Sequence, residues 1–211
     1  ALPICGPVNL SNQLFYVGIN DNLGDSQTQD PFNPIVFTIY DDWNNLPGGG
    51  TQAARAAVAR GQSFFNSRTF TITGVAGLND NPAFGSSFSG TCSTCHNAPN
   101  AGDHSVVLPL NIGIADVDRR TADMPLYTFR KKGSGEEIQV TDPGRALISK
   151  KFEDIGKFKG PILRGLAARA PYFHNGSAKD LDAVIEFFDD RFDAGITPQE
   201  KADLVAFLLS L

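Results

Sequence analysis

Apolar residues recur at the 3.6-residue spacing of an α-helix near both ends of the chain. Residues 53–65 are rich in alanine, which favours a helix that begins at Thr51. Near the C-terminus, residues 197–200 read Thr-Pro-Gln-Glu, the pattern of a capping box with proline at the first helical position. The apolar stripe that follows consists of Leu204, Val205, Leu208 and Leu211. The sequence therefore predicts an early helix and a C-terminal helix.

The remaining pattern predicts shorter elements. Residues 126–131 and 136–141 flank Gly133-Ser134-Gly135, which indicates a β-hairpin. Residues 14–19 and 35–40 are predicted to be strands or packing segments, residues 69–73 a strand, and residues 85–90 a Gly/Ser-rich loop. Short helices are predicted over residues 142–149, over residues 162–168 after Pro161, and after the caps Ser177 and Asp180. We therefore expect a mainly α domain over residues 51–211 with a small β-hairpin insertion. Residues 1–50, rich in Asn, Asp, Gly and Pro, are predicted to be an N-terminal extension wrapped on it.

The most specific motif is residues 92–96, which read Cys-Ser-Thr-Cys-His, the spacing of a c-type haem attachment site. Cys92 and Cys95 lie about one helical turn apart, so both thiols can form thioethers to one porphyrin. His96 follows directly and can bind the iron. A structural zinc site would need four ligands, and the sequence has no second pair of this kind. A thioredoxin-like dithiol would need a βαβ pattern, which is absent as well. One covalently bound haem c is therefore predicted.

Composition argues against nucleic acid binding and a membrane span, and the haem motif predicts an exported protein. The chain has 211 residues and a formal net charge of −5, with no basic run of the kind that binds nucleic acid. It has no apolar run of about 18 residues, so no membrane span is predicted. Because thioether attachment in bacteria takes place outside the cytoplasm, we expect a periplasmic or secreted location. No leader is recognisable at Ala1, as expected of a mature or trimmed chain, and Cys5 is expected to be an unreactive thiol.

Residues 161–177 resemble a known family. They include Pro-Ile-Leu-Arg-Gly and Ala-Pro-Tyr-Phe-His-Asn-Gly, which are similar to the P-x-L-R-N and A-P-Y-F-H-x-G motifs of the bacterial di-haem cytochrome c peroxidases. The ending of residues 205–211, Val-Ala-Phe-Leu-Leu-Ser-Leu, also resembles that family. The resemblance extends over about residues 53–211 and implies the family's C-terminal, electron-entry haem domain. It also implies a cytochrome c-like fold.

The chain departs from that family at two points. Family members carry two haem motifs, whereas this chain has one, so the resemblance implies a monohaem relative that lacks the peroxidatic haem. The family's axial methionine in this domain corresponds to Phe187 or Phe188, neither of which can bind iron. The sixth iron ligand must therefore come from elsewhere, or the iron is open.

Three side chains are candidates for the sixth ligand. Met124, the one methionine of the chain, lies on a loop after the motif, and a thioether ligand would suit electron transfer. It is equally well explained as packing. His104 is a second candidate and His174 a third, the latter implied by the resemblance to lie in a structural turn near the haem edge. An open iron that binds water completes the alternatives.

Three function hypotheses remain after these arguments. The first is a monohaem electron carrier that serves redox partner proteins, and we favour it. The second is a peroxidase-like enzyme that reduces hydrogen peroxide, or a haem domain of a larger redox enzyme. The third is a haem-based ligand sensor or an interaction domain of a longer protein. An enzyme would need an acid–base group, for which Glu136, Glu137 and His104 are available. Arg164 is either a surface arginine or a partner of a haem propionate, and the resemblance favours the propionate.

Overall fold

The computed structural model describes residues 13–102 and 109–211. In this part of the chain the helices are α1 (Thr51–Ser67), α2 (Cys92–Cys95), α3 (Ala146–Ser149), α4 (Leu181–Phe192) and α5 (Pro198–Leu209). The strands are β1 (Phe70–Thr73), β2 (Ser87–Gly90), β3 (Tyr127–Arg130) and β4 (Glu137–Val140). Short 3-10 turns lie at Asp41–Trp43, Val117–Arg119, Phe152–Asp154 and Leu166–Ala168. Helical residues outnumber strand residues, and the strands form two small antiparallel hairpins.

The predicted early and C-terminal helices are α1 and α5, and they pack directly against each other. At the start of α5, the Thr197 backbone N–H donates to the Glu200 carboxylate at 2.9 Å, and the Glu200 N–H donates back to the Thr197 hydroxyl. This is the predicted capping box. Gly61 in α1 meets the backbone of Asp203 in α5 so closely that an added Cβ would lie 2.0 Å from the carbonyl oxygen. The glycine thus allows the two helix backbones to come into contact.

Residues 35–40 form no strand but supply the centre of the main core. Phe37 is fully buried and meets the rings of Phe65 and Phe207 edge to face. The backbone N–H groups of residues 36 and 37 donate to the Asn66 side chain of α1, and the Tyr40 N–H donates to Gln62. Because helix side chains satisfy this backbone, it needs no neighbouring strand. The packing alternative predicted for residues 35–40 is therefore confirmed.

Residues 14–19 are neither a strand nor a packed segment along their whole length. Leu14 and Val17 are exposed, whereas Ile19 is buried. The local fold is a turn built around the buried Asp25, whose carboxylate accepts the Tyr16 hydroxyl at 2.7 Å. It also accepts the backbone N–H groups of residues 20, 27 and 28, each at 2.9 Å. This set of local hydrogen bonds replaces the extended conformation that the apolar run suggested.

The two hairpins differ in how well sequence predicts them. The predicted hairpin is present as β3 and β4, paired from Tyr127 opposite Val140 to Arg130 opposite Glu137. The predicted strand at residues 69–73 is β1, but its partner β2 occupies residues that were predicted to be a loop. β2 has the sequence Ser-Phe-Ser-Gly and ends just before the attachment motif. It therefore fixes the chain direction into that motif.

Three predicted short helices begin later than expected. α3 begins at Ala146 rather than near Pro143, because residues 143–145 form a turn. After Pro161 the chain stays irregular until the 3-10 turn Leu166–Ala168, so the helix predicted for residues 162–168 was wrong. α4 is capped by Asp180, whose carboxylate accepts the Ala183 N–H at 2.9 Å, and not by Ser177. In the described ranges, no helix is long and apolar enough to cross a bilayer.

Candidate haem site

The attachment motif begins with the single-turn helix α2, which carries both cysteines. The Thr91 N–H donates to the Thr94 hydroxyl at 3.0 Å, and the His96 N–H donates to the Cys92 carbonyl at 3.2 Å. Cys92 and Cys95 form no disulfide, and burial raises the pKa of each thiol to about 12. Both are therefore protonated at neutral pH, whereas a catalytic dithiol needs a thiolate of low pKa. The site is poorly suited to dithiol exchange.

The imidazole of His96 is held in one tautomer. Its Nδ1 lies 2.9 Å from the backbone oxygen of Gly102. Because a carbonyl oxygen can only accept, Nδ1 carries the proton, and in the neutral imidazole Nε2 then carries the lone pair that a metal requires. The Phe65 ring of α1 lies with its centroid 6.1 Å from the imidazole centroid and restricts its tilt. The side chain is thus oriented as an iron ligand would be.

The position of the Gly102 carbonyl depends on close packing. Gly102 has a φ of +64°, and an added Cβ would lie 2.8 Å from Leu163 and 2.9 Å from the Phe37 ring. The Leu163 N–H donates to the Ala101 carbonyl at 2.9 Å. Residues 161–164, the segment that carries the family resemblance, therefore dock on the loop that orients His96.

Arg164 lies directly after this docking point and is partly buried. Its Nη1 atom is buried and has no hydrogen-bond partner among the described residues. A buried guanidinium nitrogen without a partner costs free energy, so its surroundings favour an anionic group. A haem propionate is such a group. Two thiols one turn apart, an oriented imidazole and this guanidinium together fit a haem c.

Met124 is buried, and the residue is 9% exposed. The described bonds to its backbone are local: its N–H donates to the Thr121 carbonyl at 3.1 Å, and Arg120 Nε donates to its carbonyl at 3.0 Å. Just upstream, the Arg119 guanidinium lies 4.6 Å from the ring centroid of Phe187 in α4. The segment that bears Met124 thus contacts α4 at Phe187 through Arg119, five residues upstream of the methionine.

The other candidates are placed less favourably or fall outside the described residues. His104 and Cys5 lie outside them. His174 is largely exposed, with its Nδ1 bonded to the Asp142 carboxylate and its ring beside Phe158. Glu136 and Glu137 lie on the β3–β4 hairpin, where they pair with Lys131 and Arg130 on the surface.

Sequence reasoning missed two kinds of contributor to the site. Gly102 acts through its backbone oxygen, which leaves no side-chain signature. Asn20 and Asn22 of the N-terminal segment bond to carbonyls of Asn97 and Thr94, and nothing in their spacing indicates these partners. Such contacts join residues more than 70 positions apart and become visible only in the folded chain.

Comparison with known proteins gives a consistent set of relatives, although no family model and no solved structure matches the chain. Cytochrome-c peroxidase IdrP2 of Denitromonas iodatirespirans is 35% identical in an alignment of length 133, which covers 58% of this chain and 36% of that protein. Cytochrome-c peroxidase IdrP1 of Pseudomonas sp. (strain SCT) is 28% identical in an alignment of length 199, which covers 82% of this chain and 46% of that protein. Cytochrome c551 peroxidase of Pseudomonas aeruginosa is 31% identical over 121 residues, and this alignment covers 57% of this chain and 30% of that protein.

In each of these three pairs the chain spans less than half of the relative's length. The similarity nevertheless agrees with the motifs in residues 161–177 and 205–211 that suggested the family from sequence. The chain is therefore similar to bacterial cytochrome c peroxidases over part of their length, and its motifs resemble those of the C-terminal haem domain of the di-haem proteins.

Proposed function

We propose that this chain carries one haem c, attached through Cys92 and Cys95 with His96 as the proximal ligand, and that it transfers electrons. The observation that carries the proposal is the hydrogen bond from His96 Nδ1 to the Gly102 carbonyl, which presents Nε2 for a metal. The similarity to cytochrome c peroxidases supports haem c as the cofactor. The fold would then be that of a cytochrome c with a β-hairpin insertion and an N-terminal extension.

Met124 is the sixth ligand in this proposal. Three observations support it: the side chain is buried, no other methionine exists in the chain, and its segment lies against Phe187 through Arg119. A bound haem supplies a one-electron ferric–ferrous couple, and a thioether ligand favours the ferrous form. A closed coordination sphere of this kind suits electron transfer without bond chemistry.

The residues around the site have separate tasks. His96 is oriented by Gly102, and Phe65 limits the movement of its ring. Arg164 holds a propionate through the nitrogen that has no partner among the described residues, which balances negative charge beside the iron. Leu163 packs on the loop below the imidazole. These contacts keep the ligand geometry similar in both oxidation states, so little reorganisation accompanies electron transfer.

Redox partner proteins and an extracytoplasmic location follow from the same cofactor. Covalent attachment of haem places the mature protein in the periplasm or outside the cell. The net charge of −5, made more negative by propionates, favours basic or neutral partners at the surface. Association with such a partner should weaken as ionic strength increases.

A second candidate is a peroxidase-like enzyme, and the names of the relatives favour it. All three relatives described above are called peroxidases. This function would require an iron that peroxide can reach, and hence a Met124 that does not bind it. Catalytic reduction of hydrogen peroxide by the purified holoprotein would support this candidate.

The experiment that tests the proposal begins with the holoprotein, produced with a c-type haem maturation system. Covalent haem is measured by the pyridine haemochrome spectrum after denaturation. We expect the oxidised protein to be low-spin and to show the weak long-wavelength band typical of methionine-ligated ferric haem. Hydrogen peroxide turnover should be negligible.

The matched variants are Met124→Leu, which retains the volume and removes the sulfur, and Leu126→Ala on the same loop. Met124→Leu should lose the long-wavelength band and lower the reduction potential, whereas Leu126→Ala should leave both unchanged. An unchanged spectrum of Met124→Leu would exclude Met124 as the ligand. A high-spin wild-type spectrum with rapid peroxide turnover would refute the electron-carrier function and support the peroxidase-like enzyme.

A further inference from the structure

Side chains from the N-terminal segment, defined here as residues 13–43, contact the backbone of the attachment motif and of the loop after it. The Asn22 amide donates to the Thr94 carbonyl at 2.7 Å, and the Asn20 amide donates to the Asn97 carbonyl at 2.9 Å. The Gln13 amide donates to the Pro99 carbonyl. Three amides from one segment thus bond to a stretch of six residues around His96.

These bonds occur where the motif needs partners. The last carbonyls of a helix have no partner within that helix, and Thr94 is one of the last residues of α2. Asn22 supplies the missing donor. Both Asn20 and Asn22 are partly buried, so water competes poorly for these carbonyls.

The same segment also supports residues 97–102, the loop that ends in the carbonyl bonded to His96. The Asn100 N–H donates to the Val36 carbonyl at 2.8 Å, and the Thr38 N–H donates to the Asn100 side chain at 3.1 Å. The Phe37 ring lies against Gly102, and Ile19 packs with Ala98 and Ala101. The loop therefore owes its shape to partners about 60 to 80 positions earlier in the chain.

Asn20 is itself held in place. Its backbone has a φ of +51°, a conformation that asparagine tolerates, and its N–H donates to the Asp25 carboxylate at 2.9 Å. The amide also donates to the Asn33 carbonyl at 2.9 Å. Since both ends of the residue are fixed, the amide reaches the Asn97 carbonyl with little conformational freedom to lose.

We propose that the N-terminal segment sets the reduction potential of the haem, with Asn20 and Asn22 as positioning residues for the hydrogen bond between His96 and Gly102. The inference rests on the proposed function, because it takes His96 to be an iron ligand. A hydrogen bond from Nδ1 to a carbonyl makes the imidazole a stronger donor to iron and so favours the ferric state. Loosening the loop weakens that bond and raises the potential.

The test compares the wild-type holoprotein with Asn20→Gly, Asn22→Ala and the double variant. Glycine is chosen at position 20 because it adopts the positive φ without strain. Thr28→Ala is the matched control: Thr28 lies in the same segment, and its hydroxyl bonds to Asp30 rather than to the loop. Each protein is measured for covalent haem, midpoint potential, the NMR resonance of the His96 Nδ1 proton, and unfolding by urea.

We expect the double variant to retain covalent haem and to shift the ratio of reduced to oxidised protein at a fixed applied potential by three- to tenfold towards reduced. For a one-electron couple this is about 30–60 mV upwards. The His96 Nδ1 proton should exchange faster with solvent, and Thr28→Ala should match the wild type in both properties.

Two results would overturn the inference, and neither can be confused with failure of the proposed function. The first is an unchanged potential and unchanged proton exchange in Asn20→Gly and Asn22→Ala, with a loss of stability alone. The segment would then stabilise the fold without affecting the haem. A shift of equal size in Thr28→Ala would show that any damage to the segment has this effect. If the double variant does not accumulate, the midpoint potential and proton exchange of Asn22→Ala alone decide whether the inference holds. Absence of covalent haem in the wild type would instead refute the proposed function.

Discussion

Replacing Gly61 by alanine tests the crossing of α1 and α5, on which the site is built. A Cβ atom at this position would lie 2.0 Å from the Asp203 carbonyl oxygen and 2.7 Å from Cβ of Phe207. Ordinary van der Waals contact begins at 3.4 Å, so the two helices must separate locally by up to 1.4 Å (3.4 − 2.0). Because the nearest obstructing atom belongs to the backbone, side-chain rotation cannot relieve the contact.

Two effects on the free energy of unfolding oppose each other in this variant. The higher helix propensity of alanine stabilises α1 by about 1 kcal/mol relative to glycine. Overpacking typically costs about 1–3 kcal/mol, and a contact between two backbones belongs at the upper end of that range. The expected net loss is therefore about 2 kcal/mol, which corresponds to a fall in Tm of about 4–8 °C for a domain of this size.

The assay is equilibrium unfolding of the holoprotein in guanidinium chloride, followed by far-ultraviolet circular dichroism. Gly49→Ala is the matched control, because an added Cβ there has no heavy atom within 4 Å. The control should lie within about 0.5 kcal/mol of the wild type. A Gly61→Ala protein as stable as the control would show that the helices separate freely, and the close crossing would then not be a constraint on the fold.

Three further predictions concern charged groups. Arg164→Leu should lower the reduction potential, by about 60 mV if the reduced-to-oxidised ratio changes tenfold, because it removes a cation beside the haem; spectroelectrochemistry with no shift would contradict a propionate contact. Arg60→Ala should cost about 1–3 kcal/mol in urea unfolding, because the buried Asp203 carboxylate loses two 2.7 Å hydrogen bonds; a loss below about 0.5 kcal/mol would contradict this. The Thr28 N–H and other donors hold the pKa of Asp25 well below its usual range, so the stability it contributes is complete above about pH 4 and is lost as pH falls further. Asp25→Asn should therefore flatten the acid side of the stability curve, and equal slopes in the two proteins would refute the reasoning.

Elements with local signals could be predicted from sequence. The capping box of Thr197 and Glu200 and the turn at Gly133-Ser134-Gly135 involve residues close in the chain, and both elements are present. β2 was missed because Ser87–Gly90 has no apolar alternation, so its strand character comes from pairing with β1. For residues 35–40 the sequence left a strand and a packing segment as alternatives, because the backbone partners that decide between them are side chains of a helix that follows later.

The residues of the candidate site also differ in whether the sequence alone reveals their role. The motif of Cys92, Cys95 and His96 is contiguous, so its chemistry could be read directly from the sequence. The buried, unpartnered nitrogen of Arg164 could not, since it depends on which groups surround the side chain after folding. The Gly102 carbonyl leaves no trace in a pattern of side chains, although it decides which nitrogen of His96 faces a metal.

The two faces of the proposed haem are supported to very different degrees. The loop behind His96 is fixed by Asn20, Phe37 and Leu163, which come from distant parts of the chain, so the loss of one contact loosens the loop without releasing His96 from its position. The described bonds to the backbone of Met124 reach three and four residues back along the same segment. A ligand held by local bonds is more easily exchanged than one held by the tertiary fold. We therefore expect the proximal geometry to survive most substitutions, and the difference between a carrier and an enzyme to depend on the Met124 side.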